Sequence, residues 1–173
     1  MRRLFGLVLF AVLTGSISLF AQQEERPALA VSCLADRSSY TAGDSVKLTI
    51  TLENRGSSDF YVYRTIEWGW AGVRFRLTDA AGNIVPEPGG NRPPLPTPPI
   101  YDKSDLVGLA PGYFFGTHLR IDLARYKLHP GVYYIQVAYQ SDHPHEEGFG
   151  LPIVTMADGA FLSNKVQFEV RPR

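Results

Sequence analysis

Val46, Leu48, Ile50 and Leu52 alternate without a break against Lys47, Thr49, Thr51 and Glu53, the two-residue period of a strand with one face in a core and the other in water. The same period recurs at Val73, Phe75 and Leu77 against Arg74, Arg76 and Thr78. It returns at Leu119, Ile121 and Leu123, then at Tyr133, Ile135, Val137 and Tyr139 against Tyr134, Gln136, Ala138 and Gln140. Further strands are predicted over 29–36, over 59–64 and at Val166, Phe168 and Val170, about seven in all. Turn residues separate them: Gly43 ahead of the second strand, Asn54-Arg55-Gly56 behind it, and Asp79-Ala80-Ala81-Gly82-Asn83 behind the fourth. No apolar 3.6-residue period follows the first 21 residues. The pattern therefore predicts an all-β, antiparallel two-sheet sandwich.

The first 21 residues follow a different rule. Arg2-Arg3, the uncharged run from Leu4 to Leu13, then Thr14-Gly15-Ser16 and Ala21 make the basic, apolar and small-polar succession of a secretory signal. Cleavage is expected after Ala21; retention as an anchor is the alternative. Residues 22–28 then form a short linker, and 29–173 a single sandwich domain. The expected location is secreted or periplasmic, with no membrane association after cleavage. Cys33 stands too far from the apolar run to be lipidated and has no second cysteine to pair with. Among Leu29, Val31 and Leu34 it is expected to be a small buried apolar group.

Of the 17 Lys and Arg residues, Arg2 and Arg3 belong to the leader; the remaining 15 face 17 Asp and Glu, a net charge of −2. Neither sign gathers into a block, so nothing points to nucleic acid. Two stretches break the strand pattern: a Pro-rich loop over 84–100, where Pro86 to Pro99 holds seven of the 13 prolines, and a long loop over 141–160. Proline cannot donate to a sheet ladder, so the first is expected to be exposed and extended. Long loops at the ends of a sandwich are common binding positions.

The succession Tyr40-x-x-Gly43-Asp44, the strand closing on Asn54, Phe75-Arg76-Leu77-Thr78-Asp79-x-x-Gly82, Leu109-x-Pro111-Gly112 and Leu128-x-Pro130-Gly131-x-Tyr133 resembles bacterial immunoglobulin-like domains, in particular the BsuPI proteinase-inhibitor type. The resemblance spans about 31–170. It implies an immunoglobulin-like fold and, from the family name, inhibition of a serine proteinase. Its motifs are turn and strand signatures, so no inhibitory residue is carried over. Gly43, Pro130, Gly131 and Tyr133 read as structural, with the Tyr133 hydroxyl expected to bond back to the preceding loop as in a tyrosine corner.

Four groups of residues carry candidate chemistry. Trp68 and Trp70, with Tyr61 and Tyr63, form the densest aromatic segment; exposed, they would stack on sugar rings or anchor a protein, and buried, they would be core. Arg92 and Leu95 lie in a Pro-rich string of the kind read by aromatic-lined grooves. His143 and His145, between Asp142 and Glu146-Glu147, are weak candidates for a metal site short of the four ligands a closed site requires. Gly43-Asp44-Ser45-Val46 and Asp142-x-x-His145 match blocks of the lipase-esterases named for the first string. That nucleophile, however, needs a strand-to-helix turn, and Ser45 opens an alternating strand. The expectation is a non-enzymatic binding module with no cofactor, whose partner is a protein or a surface glycan, with proteinase inhibition or carbohydrate binding as alternatives.

Overall fold

The computed structural model describes residues 27–68, 72–88, 102–140, 149–155 and 158–172. Within them lie nine strands: β1 (Leu29–Ala35), β2 (Ser39–Thr41), β3 (Ser45–Asn54), β4 (Phe60–Tyr63), β5 (Val73–Asp79), β6 (Leu106–Leu109), β7 (Phe114–Asp122), β8 (Gly131–Tyr139) and β9 (Phe161–Arg171). One sheet has the order β1-β3-β7 and the other β2-β9-β8-β5, while β4 pairs with β6. This strand order, with the first edge of the chain divided between both sheets, is that of an immunoglobulin-like sandwich. The pairings are antiparallel except β2 with β9, which is parallel.

The expected count of seven is corrected by β2 and β6, which are too short to show a period. Two strands also start earlier than alternation predicts. β7 begins at Phe114, where backbone pairing with Glu53 extends the strand through side chains that are largely exposed. β9 begins at Phe161 because a bulge at Ser163 and Asn164 interrupts its alternation; the register steps from Gln136↔Lys165 to Ala138↔Leu162. Leu123 belongs to a 3₁₀ turn, Leu123–Tyr126, rather than to β7. The long segments also contribute to the sheets. Ile84 bridges Thr78, the Val85 N–H bonds the Leu77 carbonyl at 2.9 Å, and Ile153 bridges Tyr61.

Val46, Leu48, Ile50 and Leu52 are wholly buried, each worth about 2 kcal/mol of apolar transfer. They face Ile135, Val137, Tyr139 and Phe168 of the opposite sheet in one core. Phe168 is packed edge-on by Tyr40 at 5.6 Å and stacked by Tyr133 at 5.9 Å. The Tyr133 hydroxyl donates to the His129 carbonyl at 3.0 Å, four residues back. The Tyr40 hydroxyl donates to Asp36 at 2.7 Å and accepts from the Arg37 N–H, which fixes the crossing of the chain from β1 to β2.

At one seam between the sheets a side chain of β9 bonds the backbone of β1. Asn164, turned out of the β9 bulge, accepts from the Cys33 N–H and donates to the Cys33 carbonyl, both at 2.9 Å. An amide side chain thus replaces a missing neighbour strand at the edge of β1. The bulge also frees the Val137 N–H, which the buried Ser163 hydroxyl accepts at 2.9 Å.

Burial pushes the Cys33 thiol from 9.0 up to about 11 and the Tyr139 hydroxyl from 10.0 up to about 12. Tyr40 also rises to about 12, through burial and then its bond to Asp36. All three are held protonated in the folded state above their unfolded values, so unfolding at alkaline pH releases protons. Their contribution is complete below pH 9 and is lost as pH climbs through about 11 to 12. Urea midpoints are therefore expected to fall steadily above pH 9. Cys33 is expected to react with a thiol reagent at pH 8 only at the rate of opening; rapid native labelling would show that the thiol is accessible.

Candidate functional site

On the side opposite the Cys33–Asn164 seam, the two sheets end in the outer strands β5 and β7, and Trp68 connects them. Its backbone bridges Val73 of β5, its indole Nε1 donates to the Arg120 carbonyl of β7 at 2.8 Å, and its ring packs on Phe75 at 4.8 Å and 64°. Phe75 in turn meets Tyr126 of the 3₁₀ turn at 6.2 Å and 61°. Edge-to-face contacts of this kind add about 1 kcal/mol beyond area burial. Tyr126 is carried here because Asp122 caps the turn, its carboxylate accepting the Ala124 N–H at 3.0 Å, and Lys127 ends it in the left-handed region at φ 49°.

Beside this aromatic row lies a cleft of about 230 Å³ lined by Phe75, Arg76, Leu77, Ile84, Val85, Glu87 and Tyr126. Five of its seven lining residues are apolar or aromatic, Arg76 and Glu87 bring one charge of each sign, and the surface the cleft offers is about equally polar and apolar. Burial raises the Tyr126 hydroxyl above its ordinary value, and the neighbouring Glu87 carboxylate raises it further. The volume is below the roughly 300–1,000 Å³ of small-molecule sites and suits one bulky side chain. The floor carries hydrogen-bonding capacity as well. The Leu77 carbonyl and the Asp79 N–H bond residues 85 and 83 rather than β8, so alternate residues of β5 turn their backbone groups outward. Phe75 is one of these, and among the described residues nothing bonds its outward N–H and C=O.

The aromatic segment read from the sequence divides here. Trp68 is half-buried at the cleft side. Tyr63 is buried in a smaller cluster with Leu106 and Ile153, and Tyr61 packs half-buried against the same cluster. Tyr61 lies opposite Gly108, where a Cβ would come within 3.1 Å of the tyrosine ring. Its ring thus covers the glycine of β6. Tyr63 donates its N–H to the Tyr139 hydroxyl at 3.2 Å and presents no free face. Trp70, Arg92, Leu95, His143 and His145 lie outside the described residues, as do the expected leader and its expected cleavage site. Ser45 is exposed at the start of β3, and the Asp44 carboxylate accepts the Thr41 N–H within the Gly43 turn. Among the described residues no three His, Cys, Asp or Glu side chains gather to hold a metal.

Phe75, Tyr126, Ile84 and Val85 were not candidates from sequence. Phe75 reads as one more inward position of an alternating strand. No local signal places Tyr126 opposite it, since 51 residues separate the two.

No protein-family model matches the chain, and no curated protein is significantly similar to it. Among solved structures, it is similar to a β-glucosidase of Erythrobacter marinus at 14% identity and TM-score 0.42, over 84% of this chain but 16% of that one. The CARDB domain of a Pyrococcus furiosus protein, solved with di-metal ions, is similar at 12% identity and TM-score 0.40 over 85% and 90% of the two chains. The sporulation control protein Spo0M of Bacillus subtilis is similar at 10% identity and TM-score 0.42 over 84% and 50%. At these identities and scores none of the likenesses carries a functional assignment.

Proposed function

We propose that this chain is an exported, non-enzymatic binding module that grips an extended segment of a partner protein at the outer side of β5 beside Phe75, between the bridges made by Trp68 and Ile84. One bulky apolar side chain of that segment fills the cleft between Ile84 and Tyr126, and its backbone bonds the outward N–H and C=O of Phe75. The observation that carries the reading is the coincidence, among the described residues, of unbonded strand-edge groups with a side-chain-sized cleft of mixed polar and apolar lining at the same residue, the combination by which strand addition gains both affinity and selectivity. Export is supported by the Arg2-Arg3 and Leu4–Leu13 succession. A flat sugar platform is less well supported, because the Trp68, Phe75 and Tyr126 rings are inclined at 64° and 61° instead of being coplanar. The narrower BsuPI resemblance would add proteinase inhibition through one of the two long loops.

Selection from a displayed-peptide library tests the reading. Peptides with one large apolar residue in an extended context are expected, and Ile84→Asp should weaken them about tenfold, since it removes roughly 1.5 kcal/mol of apolar contact. Ile84 is 62% exposed, so the fold should be unaffected. The Phe75 amide should shift on titration. Peptides that bind the variant equally well, or a serine proteinase panel inhibited irrespective of it, would move the site to the long loops.

A further inference from the structure

The second open edge is β7. The Trp68 indole bonds the Arg120 carbonyl from outside the sheet, and β7 pairs with β3 in an unbroken register from Ser45↔Asp122 to Glu53↔Phe114. The even-numbered residues of β7 therefore turn their backbone groups away from β3. Beyond Arg120 these are Phe114, Gly116 and His118, and among the described residues nothing bonds their outward N–H and C=O. Sheet edges left this way invite another strand, and proteins usually blunt them with a lysine, a proline or a bulge. From 114 to 119 β7 has none of these and no acidic residue. Instead it exposes two large side chains: Phe114 is 71% exposed and the adjoining Tyr113 68%.

We propose that β7 pairs antiparallel with β7 of a second copy of this chain about a two-fold axis at Gly116, joining the two β1-β3-β7 sheets into one. Symmetry selects this occupant over an unrelated strand. The free stretch is centred on Gly116, so Gly116 meets itself and Phe114 meets His118 of the second copy, each pair exchanging both backbone bonds. On the same outer face an aromatic ring lies opposite an imidazole at both ends, a favourable cross-strand pair. At the centre the absence of a side chain leaves room for close approach. That glycine is already required by its own sheet, because a Cβ would stand 3.0 Å from the Ile50 carbonyl. On the inner face Phe115 meets Thr117. Arg120 is not needed, which leaves its bond to Trp68 and the cleft of the neighbouring edge intact.

Sedimentation equilibrium of the chain from residue 22 onward is expected to show a concentration-dependent species of twice the monomer mass. Phe114→Lys with His118→Lys places like charges opposite each other in both symmetry-related pairs and should raise the dissociation constant roughly tenfold or more. Phe114→Lys with His118→Glu places opposite charges in the same register and should restore pairing. Both variants change exposed positions and remove the exposed contact of His118 with the Thr49 hydroxyl at 3.1 Å, so their thermal midpoints should fall only slightly and by similar amounts. The Gly116 and His118 amides should gain exchange protection as concentration rises. A chain that stays monomeric, a dimer indifferent to the double lysine variant, or equal weakening by both pairs of substitutions would each overturn the proposal.

Discussion

Asn54→Ala is expected to lower the unfolding free energy by about 3 kcal/mol, among the largest effects of any single substitution in this chain. Asn54 is wholly buried, and every polar group it carries is satisfied. Its side-chain amide donates to the Leu109 carbonyl at 2.7 Å and the Ser58 carbonyl at 2.9 Å, and its oxygen accepts the Gly56 N–H at 2.8 Å. Its backbone N–H donates to the Tyr113 carbonyl and its carbonyl accepts the Gly112 N–H. One residue thus joins the end of β3, the turn after it, the end of β6 and the hairpin into β7. Alanine would leave three groups without partners, and the cost is greatest at Leu109, which is buried. Asn54→Asp should be at least as damaging, since a carboxylate donates to neither carbonyl and its charge would be buried. Urea unfolding measures both. A loss below about 1 kcal/mol would mean that water enters and replaces the side chain.

The second large effect is expected at Trp68. Trp68→Ala should cost about 2–3 kcal/mol, less than for a fully buried tryptophan because the ring is half-exposed. It removes the packing on Phe75 and the bond to Arg120 together, and so separates β5 from β7 on the open side. Trp68→Phe retains a ring and loses the indole bond, which should cost about 1 kcal/mol. The two variants also separate stability from binding. If the cleft depends on Phe75 being held by Trp68, the alanine variant weakens a cleft-binding peptide while the phenylalanine variant largely preserves it. Equal binding by all three proteins would show that Phe75 is positioned by β5 alone. Calorimetric melting with peptide titration gives both quantities.

Most of the core was legible because alternation is a local property. Val46 to Leu52, Val73 to Leu77 and Tyr133 to Tyr139 each declare their buried face within a few residues, and the structure buries Val46, Leu48, Ile50, Leu52, Val73, Leu77, Tyr133, Ile135, Val137 and Tyr139. Much less of the site was legible. Trp68 stands out by residue type, yet its role depends on the carbonyl of Arg120, 52 residues away. Tyr61 and Tyr63 look alike in the sequence, and the difference between them comes from β6 and from residues 149–153.

Local pattern was enough for seven of the nine strands, most of their inward faces and the sandwich class, because a two-residue period of apolar side chains is buried on one side wherever a sheet forms. Which strands end each sheet and what closes them came only from the folded chain: Asn164 at the edge of β1, Trp68 between β5 and β7, Asn54 beneath the hairpin, and, among the described residues, unbonded outward backbone groups at Phe75, Phe114, Gly116 and His118. Those outcomes depend on hydrogen-bonding groups far apart in the chain. Every backbone N–H and C=O seeks a partner, and only the folded arrangement settles which distant group supplies it.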